Sequence, residues 1–266
     1  MKRKKLRIGR VLRLLIIVTL MVTVGTGVGQ SVILWAKEYT EAKEKRSEQK
    51  SEAEKIIKSE ELSGLPVELL ELLEKNPDAE EFVLNYSLKK DQSFVIDLSE
   101  YENSSSVPLF LQWDERWGYT IYGSNVMGLT GCGPTRLSMV CIYLFQDATY
   151  TPRYVADFAE ENGYYVEGSG STWTLISEGG ETLGLDVTEL PLDENRMMKN
   201  LELGNPIICI MGPGDFTTTG HFIVLTGCKD GMFVVNDPNS KTNSEKLWSY
   251  EEIKGQIKNL WVCRRK

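Results

Sequence analysis

The feature that most limits the possible folds of this chain is the order in which apolar residues follow helical spacing and then strand spacing. Before Gly204, apolar residues recur at helical spacing, as in "TPRYVADFAEENG" and "DENRMMKNLELG". After Gly204 they follow strand patterns, "NPIICIM", "HFIVLTGC" and "MFVVND", and a turn at Asp230-Gly231 separates the last two. Helices followed by antiparallel strands predict an α+β fold with segregated layers rather than a wound parallel sheet.

Helix-capping residues support these assignments. Thr151 is a suitable N-cap, and Pro152 follows it at the first helical position, where a missing N–H costs nothing. Asp193 is the expected N-cap of the next helix, which ends at Gly204. A further stretch, "STWTLISEGGETLGL", also shows helical spacing.

The N-terminus has the pattern of a membrane anchor. Residues 1–13 carry seven Lys or Arg and no acidic residue, although the whole chain has a net charge of −8. Residues 14–36 hold no charged side chain, and 23 residues in a helix can cross a hydrocarbon core of about 30 Å. Since basic flanks stay in the cytoplasm, the acidic body is expected outside the cell. The alternatives are a cleaved signal peptide, although its apolar region is shorter, at about 7–15 residues, and a wholly buried core helix.

Two segments separate this predicted anchor from the main domain. Residues 37–62 are rich in Glu, Lys, Ser and Ala and predict either a solvated helical stalk or a disordered charged linker. Residues 63–105 form a compact prelude, in which Pro66 marks the start of a helix. A second short helix is expected at residues 78–86 and a strand at residues 93–99.

The remaining residues, 106–266, form the main domain, and their cysteines do not indicate a metal site. The chain has five cysteines, with no CxxC pair and no metal-ligand spacing: Cys132, Cys141, Cys209, Cys228 and Cys263. An odd number outside the cell leaves at least one thiol unpaired within the molecule. The sequence has no glycine-rich phosphate loop and no basic aromatic surface, so it does not indicate a nucleotide or nucleic-acid partner.

Cys132 is a candidate nucleophile because of its position in "GCGPTRLSMV". Pro134 fits the first turn of a helix, so Cys132 caps or begins that helix. A helix N-terminus and a nearby imidazolium lower the pKa of a thiol, and the thiolate is the reactive form. The flanking glycines allow close approach of a substrate, and the Cys132 N–H is a candidate oxyanion donor. Taken alone, a small buried apolar cysteine is the more common alternative.

His221 and Asp237 complete a candidate triad. His221 is the single histidine of the chain and stands at the start of a predicted core strand. Asp237 follows the partner strand, so an antiparallel hairpin turning near residues 230–231 makes the two residues neighbours. A base and an orienting acid are therefore expected together, beside the cysteine.

A fourth candidate is Gln112, in "VPLFLQWDERWGY". A side-chain amide twenty residues before the cysteine is a candidate donor to the negative oxygen that develops during attack on a carbonyl. Removing such a donor typically costs about 100- to 1000-fold in rate.

Four stretches resemble the papain-like cysteine peptidases of family thirty-nine, whose founding members cut double-glycine leaders from bacteriocins. They are "VPLFLQWDERWGY", "GCGPTRLSMV", "PGDFTTTGHFIVLTG" and "VNDPNS", and the closer resemblance is to stand-alone C39-like proteins of Gram-positive bacteria. It covers about residues 65–261 and implies a papain-like fold. It also implies Cys132 as nucleophile, His221 as general base and acid, Asp237 as orienting carboxylate and Gln112 as oxyanion residue.

The expected function is thus a membrane-anchored extracellular cysteine peptidase that hydrolyses peptide bonds through a thioester. Neither a metal nor an organic cofactor is expected, and the partners are a peptide or protein substrate and the membrane. No transporter segment or ATP-binding loop accompanies the motifs, so bacteriocin export is not implied. Two alternatives stay open: an amidase or endopeptidase acting on cell-wall peptidoglycan, and a catalytically silent peptide-binding module.

Overall fold

The computed structural model describes Thr40, Lys43, Lys45, residues 62–168 and residues 170–266. The chain divides into two compact units, Met1–Ser63 and Gly64–Lys266. In the first unit, Thr40, Lys43 and Lys45 are helical and exposed. The predicted basic tail and membrane anchor, residues 1–36, lie outside the described residues. Within the described part, no helix combines the length and apolar character needed to cross a bilayer.

The second unit begins with two helices that match the predicted prelude. Helix α1, Val67–Lys75, starts after Pro66 and buries Leu69 and Leu72. A 3₁₀ turn, Pro77–Ala79, leads into α2, Glu80–Lys89, which starts and ends later than the expected residues 78–86.

The strand predicted for residues 93–99 is wrong. Its side chains do alternate, since Val95 is 90% exposed and Leu98 is 2% exposed. The backbone is nevertheless without a strand partner and continues into a 3₁₀ turn, Ser99–Tyr101. An alternating pattern shows only that one face of a segment is buried, whereas a β-ladder also requires a neighbouring strand.

Aromatic and charged contacts attach the prelude to the rest of this unit. The rings of Phe82 and Tyr119 stack with centroids 4.4 Å apart. The Tyr119 hydroxyl donates to the Phe82 carbonyl at 2.8 Å. Lys89 forms an ion pair with Glu115. Helix α2 is therefore an integral part of the folded domain.

Three further helices follow: α3, Cys132–Phe145; α4, Pro152–Glu161; and α5, Glu194–Glu202. Local hydrogen bonds explain two of their starts, because Thr151 accepts from the Tyr154 N–H and Asp193 from the Arg196 N–H. The stretch predicted as a further helix is short and forms a π turn, Leu175–Gly179, and a single turn, Gly180–Thr182. The remaining short helices are Met127–Thr130, Lys241–Glu245 and Tyr250–Ile253.

Six strands form one antiparallel sheet: β1, Leu185–Glu189; β2, Ile207–Met211; β3, His221–Lys229; β4, Met232–Asn236; β5, Leu247–Trp248; and β6, Ile257–Arg265. Their order is β1-β6-β2-β3-β4-β5. Two short hairpins lie apart from it, Ile121–Tyr122 with Asn125–Val126 and Tyr165–Val166 with Gly170–Ser171. The predicted α+β class with an antiparallel sheet is confirmed.

The expected strict order of helices before strands needs one correction. Strand β1 precedes α5 in the chain and nevertheless joins the sheet through β6. Strand β6 is the C-terminal strand and lies between β1 and β2. Local periodicity carries no information about pairing between segments this far apart, so the full sheet was not predictable from it.

The sheet is buried on both faces, and β3 shows how the alternation separates them. Phe222 and Val224 pack into the cluster that contains the apolar residues of α3 and α4. Ile223 and Leu225 pack into a second cluster, with Met197 of α5. Helix α3 is thereby held against one face of the sheet, close to the start of β3.

Candidate active site

Cys132 is the first residue of α3, and its surroundings require small neighbours. Gly131 is the N-cap and provides no side-chain hydrogen bond. A Cβ on Gly133 would lie 2.4 Å from the Ser171 hydroxyl oxygen, and one on Gly131 would lie 2.6 Å from the Met127 carbonyl oxygen. Glycine on both sides therefore allows the helix to begin in this crowded space, with the thiol at its positive end.

His221 and Asp237 meet at one end of the β3–β4 hairpin. His221 is the first residue of β3, and Asp237 directly follows β4. The His221 Nε2 atom lies 2.7 Å from Asp237 Oδ1. Both side chains are buried, at 6% and 1% exposure. The sheet thus holds imidazole and carboxylate in contact.

The Asp237 carboxylate has its other hydrogen bonds satisfied as well. Its Oδ1 accepts from the Asn239 N–H and its Oδ2 from the Asn243 side-chain amide, each at 2.9 Å. Burial raises the pKa of Asp237, but the His221 charge and hydrogen bond, followed by Arg136 and Asn243, lower it more. The net pKa is below its ordinary value, so Asp237 stays a carboxylate at neutral pH.

The side chain of Cys132 lines the same cleft as this pair. Burial raises the pKa of the thiol, but the His221 hydrogen bond, the Arg136 charge and the His221 charge together lower it to about 7. This shift favours the thiolate at neutral pH, which is the state a nucleophile needs.

Opposing influences also act on His221. Burial and the charge of Arg136 lower the pKa of the imidazole, whereas the charge and hydrogen bond of Asp237 and the bond to Cys132 raise it. The raising influences prevail, and the net pKa lies above the ordinary value. The imidazole can therefore hold a proton near neutral pH.

Arg136 is a further member of this group that the sequence analysis missed. It lies one turn after Cys132 on α3 and is 0% exposed. Its Nη1 donates to the Cys132 carbonyl at 2.5 Å, and its Nη2 lies 2.6 Å from His221 Nε2. The spacing of four residues on a helix was the available signal, because it places two side chains on the same face.

Gln112 borders the same cleft and is 4% exposed. Its backbone N–H donates to the Pro238 carbonyl at 2.8 Å, which connects it to the residue after Asp237. Its side-chain Nε2 donates to the Gly128 carbonyl at 2.9 Å. Within the described chain its Oε1 is buried without a hydrogen-bond partner. The same Nε2 also donates to the Leu129 carbonyl at 3.5 Å, so donation to an oxyanion would replace this longer bond.

These residues open into a cleft of about 750 Å³. Cys132, His221, Asp237 and Gln112 line it on one side. The other walls are the loop 214–220, polar residues between 239 and 243, and residues 75–78 at the end of α1. Such a volume is typical of a site for a small molecule or a few residues of a peptide.

The other four cysteines are not part of this site. All five cysteines are free thiols, and Cys141, Cys209 and Cys263 are buried. Burial raises the pKa of each of these three, which makes them unreactive. Across the residues that the structure covers, no group of three or more His, Cys, Asp or Glu side chains is arranged to hold a metal ion.

The fold and the site define the class of C39-like peptidase domains. Residues 104–266 match the model of the Peptidase_C39 like family, so the chain belongs to that family. No curated protein matches it.

Solved structures that are similar to the chain include two peptidase domains. One is the peptidase domain of Streptococcus ComA, a bifunctional ABC transporter involved in a quorum-sensing pathway; it is 20% identical, with a TM-score of 0.41, and the match covers 52% of this chain and 93% of that one. The other, from Bacillus anthracis and described as a C39-like peptidase, is 15% identical, also with a TM-score of 0.41, and the match covers 66% of this chain and 99% of that one.

Proposed function

We propose that this protein is a membrane-anchored extracellular cysteine peptidase, with Cys132 as nucleophile, His221 as general base and acid, and Asp237 as the carboxylate that orients the imidazole. The observation that carries this proposal is the convergence of Cys132, His221 and Asp237 on the wall of one cleft, where His221 contacts Asp237 at 2.7 Å. Membership of the Peptidase_C39 like family supports it.

The reaction begins with the Cys132 thiolate and a protonated His221. The sulfur attacks the carbonyl carbon of the scissile amide, a C–S bond forms, and the carbonyl π electrons move to oxygen. The Cys132 N–H and the Gln112 amide are the proposed donors to that oxyanion. When the C–N bond breaks, His221 gives its proton to the leaving amine, and a thioester remains on Cys132.

Hydrolysis of the thioester returns the enzyme to its starting state. His221, now neutral, takes a proton from a water molecule, whose oxygen attacks the thioester carbonyl carbon. The C–S bond breaks and releases the carboxylic acid product, while Cys132 leaves as thiolate. Throughout, Asp237 accepts from the His221 Nε2–H and leaves Nδ1 to exchange protons with the thiol, substrate and water.

The test of this proposal uses full-length protein and follows each cysteine by mass spectrometry during alkylation with iodoacetamide from pH 4 to 9. We expect Cys132 to react with a midpoint near pH 7. Cys228 is the internal control, because it is also partly exposed and burial raises its pKa. A Cys132 midpoint at or above that of an ordinary thiol, about 8.5, contradicts the proposal.

Hydrolysis is tested with a quenched-fluorescent peptide library, using Cys132→Ala as the matched inactive variant. Cleavage that disappears in this variant supports a peptidase. A reactive Cys132 without cleavage of any library peptide favours a substrate other than a linear peptide, and purified peptidoglycan is then the next substrate to test. An unreactive Cys132 and no cleavage favour the silent binding module.

The proposed membrane location rests on the sequence of residues 1–36, with its basic start and its uncharged stretch. Full-length protein is expected in the membrane fraction after high-salt washing. Protease added to intact cells should degrade the domain that contains Cys132. A domain that stays protected until the cells are lysed contradicts the extracellular placement.

A further inference from the structure

Arg136 is a charged side chain in a place where charge is costly. It is 0% exposed, and burying a guanidinium without charged or polar partners is strongly unfavourable. Its Nη1 is satisfied by the Cys132 carbonyl. Its Nε, by contrast, is buried without a hydrogen-bond partner in the described chain. The backbone contact alone thus leaves most of the cost of burying this charge unexplained.

The remaining contacts of Arg136 are all with the candidate triad. Its Nη2 lies 2.6 Å from His221 Nε2 and 3.3 Å from His221 Nδ1. The same Nη2 lies 3.8 Å from Asp237 Oδ1. Its charge also interacts with that of the Cys132 thiol, one helical turn before it. The guanidinium is therefore held beside Cys132 by the bond to the Cys132 carbonyl, while it contacts the imidazole and lies near the carboxylate.

Hydrogen-bond chemistry limits what the contact with His221 can be. A guanidinium only donates and a carboxylate only accepts, yet both lie within 2.7 Å of the same Nε2 atom. If Nε2 carries the proton that Asp237 accepts, the Arg136 contact is one between two donors. Such a contact is tolerated better by a neutral imidazole than by an imidazolium. Arg136 therefore opposes the charged form of His221 and favours the anionic form of Cys132.

We propose that Arg136 is a second counter-ion of the Cys132 thiolate, so that the thiolate is stabilised even when His221 is neutral; this rests on the proposed function, in which Cys132 is the nucleophile. With thiolate, neutral imidazole, carboxylate and guanidinium together, the buried group has a net charge of −1. Without Arg136, the same state leaves the thiolate and the carboxylate buried with no cation.

The pKa directions agree with this assignment. The Arg136 charge lowers the pKa of both Cys132 and His221. Burial lowers the pKa of Arg136 itself to about 10, which still leaves it charged at neutral pH. The Arg136 charge therefore favours the thiolate in both protonation states of His221, including the imidazolium with which the proposed reaction begins.

Other titratable groups near the site do not supply this charge. Tyr122 interacts with Cys132, but burial raises the pKa of its phenol, so it stays neutral. Lys75, Asp78 and Asp215 line the cleft and are exposed, where solvent and salt screen their charges. Among the described residues, Arg136 and His221 are thus the cations whose charges lower the pKa of the Cys132 thiol.

The experiment compares the pH dependence of Cys132 alkylation in full-length wild type, Arg136→Gln, Arg136→Lys and His221→Ala. Removing the guanidinium charge is expected to raise the Cys132 midpoint by about 1–3 pH units, as for loss of a close opposite charge. Arg136→Lys is expected to restore most of the wild-type midpoint. His221→Ala is expected to keep a midpoint below that of an ordinary thiol, because Arg136 remains.

Two outcomes overturn the inference. One is a wild-type midpoint in Arg136→Gln. The other is an ordinary midpoint of about 8.5 in His221→Ala, since Arg136 is then unable to stabilise the thiolate alone. The His221→Ala result decides the matter if circular dichroism shows that Arg136→Gln does not fold. Failure of the proposed function looks different, because wild-type Cys132 itself then titrates as an ordinary thiol.

Discussion

The Nε2 atom of His221 lies 2.7 Å from Oδ1 of Asp237, although sixteen residues separate them in the chain. The hairpin between them explains this contact. Asp230 and Gly231 both have positive φ, as a type I′ turn requires, and Asn236 pairs with Val224 across the ladder. Asp237 therefore leaves the ladder beside the beginning of β3. Rigid strands, rather than a flexible loop, set the distance between base and acid.

Asp237→Asn tests the importance of this contact. An amide keeps the size of the side chain but removes the negative charge that raises the pKa of His221. We expect the rate of peptide cleavage to fall about 100-fold or more. The alkaline limb of the pH–rate profile should move to lower pH, because His221 then loses its proton more easily. The measurement is kcat/KM against pH on a cleaved library peptide.

Asp147→Asn is the matched control for that substitution. Asp147 also has a pKa lowered by hydrogen bonds, from Thr149, and it is outside the cleft. Its replacement should leave the pH profile in place. Equal profiles for wild type and Asp237→Asn rule out the proposed orienting role.

Gln112→Ala tests the proposed oxyanion donor. If its amide stabilises the transition state, kcat should fall about 100- to 1000-fold while KM changes little. Gln92→Ala is the control, because the Gln92 amide also donates to a backbone carbonyl, that of Leu88, but outside the cleft. If KM rises while kcat stays the same, Gln112 contributes to substrate binding instead.

Gly133→Ala tests the crowding behind the nucleophile. The new Cβ would meet the Ser171 side chain at 2.4 Å from its oxygen and 2.6 Å from its Cβ. We expect the free energy of unfolding in urea to fall by about 1–3 kcal/mol, as for other overpacked sites. The double variant Gly133→Ala, Ser171→Gly should recover most of that loss. Unchanged stability in the single variant shows that the space is not limiting.

Phe82→Ala tests whether the prelude is part of the folded domain. Phe82 is 2% exposed and stacks on Tyr119, so its truncation leaves a cavity. The expected cost is about 3–5 kcal/mol in free energy of unfolding, measured in urea. Leu88→Ala on the same helix is the control: Leu88 is 74% exposed, and we expect a change within about 0.5 kcal/mol. Similar effects of the two substitutions would show that α2 is not packed as described.

Lys75→Glu tests the contribution of α1 to peptide selection. Lys75 lines the cleft but lies outside the family match, residues 104–266. Reversing its charge should change which library peptides are cleaved fastest. The change should depend on the charge of each peptide. Alkylation of Cys132 by the small neutral iodoacetamide should stay the same. Lys199→Glu makes the same charge change outside the cleft, and an effect as large as that of Lys75→Glu assigns the change to net charge.

The amino-acid sequence by itself determined the features that depend on near neighbours. Thr151 and Asp193 cap helices through bonds to N–H groups three residues ahead. The turn at Asp230-Gly231 fixes a hairpin, and this makes the proximity of His221 and Asp237 predictable. The start of α3 at Cys132 follows from its glycine and proline neighbours. Each of these depends on backbone conformations within a few residues, which local patterns report well.

Only the tertiary structure decided which segments pair over long distances. Strand β6 lies between β1 and β2, and neither β1 nor β6 was predicted, whereas the extended residues 93–99 found no partner. The tertiary structure also decided the burial and the neighbours of Arg136. From the sequence alone, Arg136 is a charged residue on a predicted helix like any other. The physical reason is the same in both cases. Pairing and burial depend on what approaches a segment from elsewhere in the chain, and Arg136 meets His221 across 85 residues only after α3 packs on the sheet.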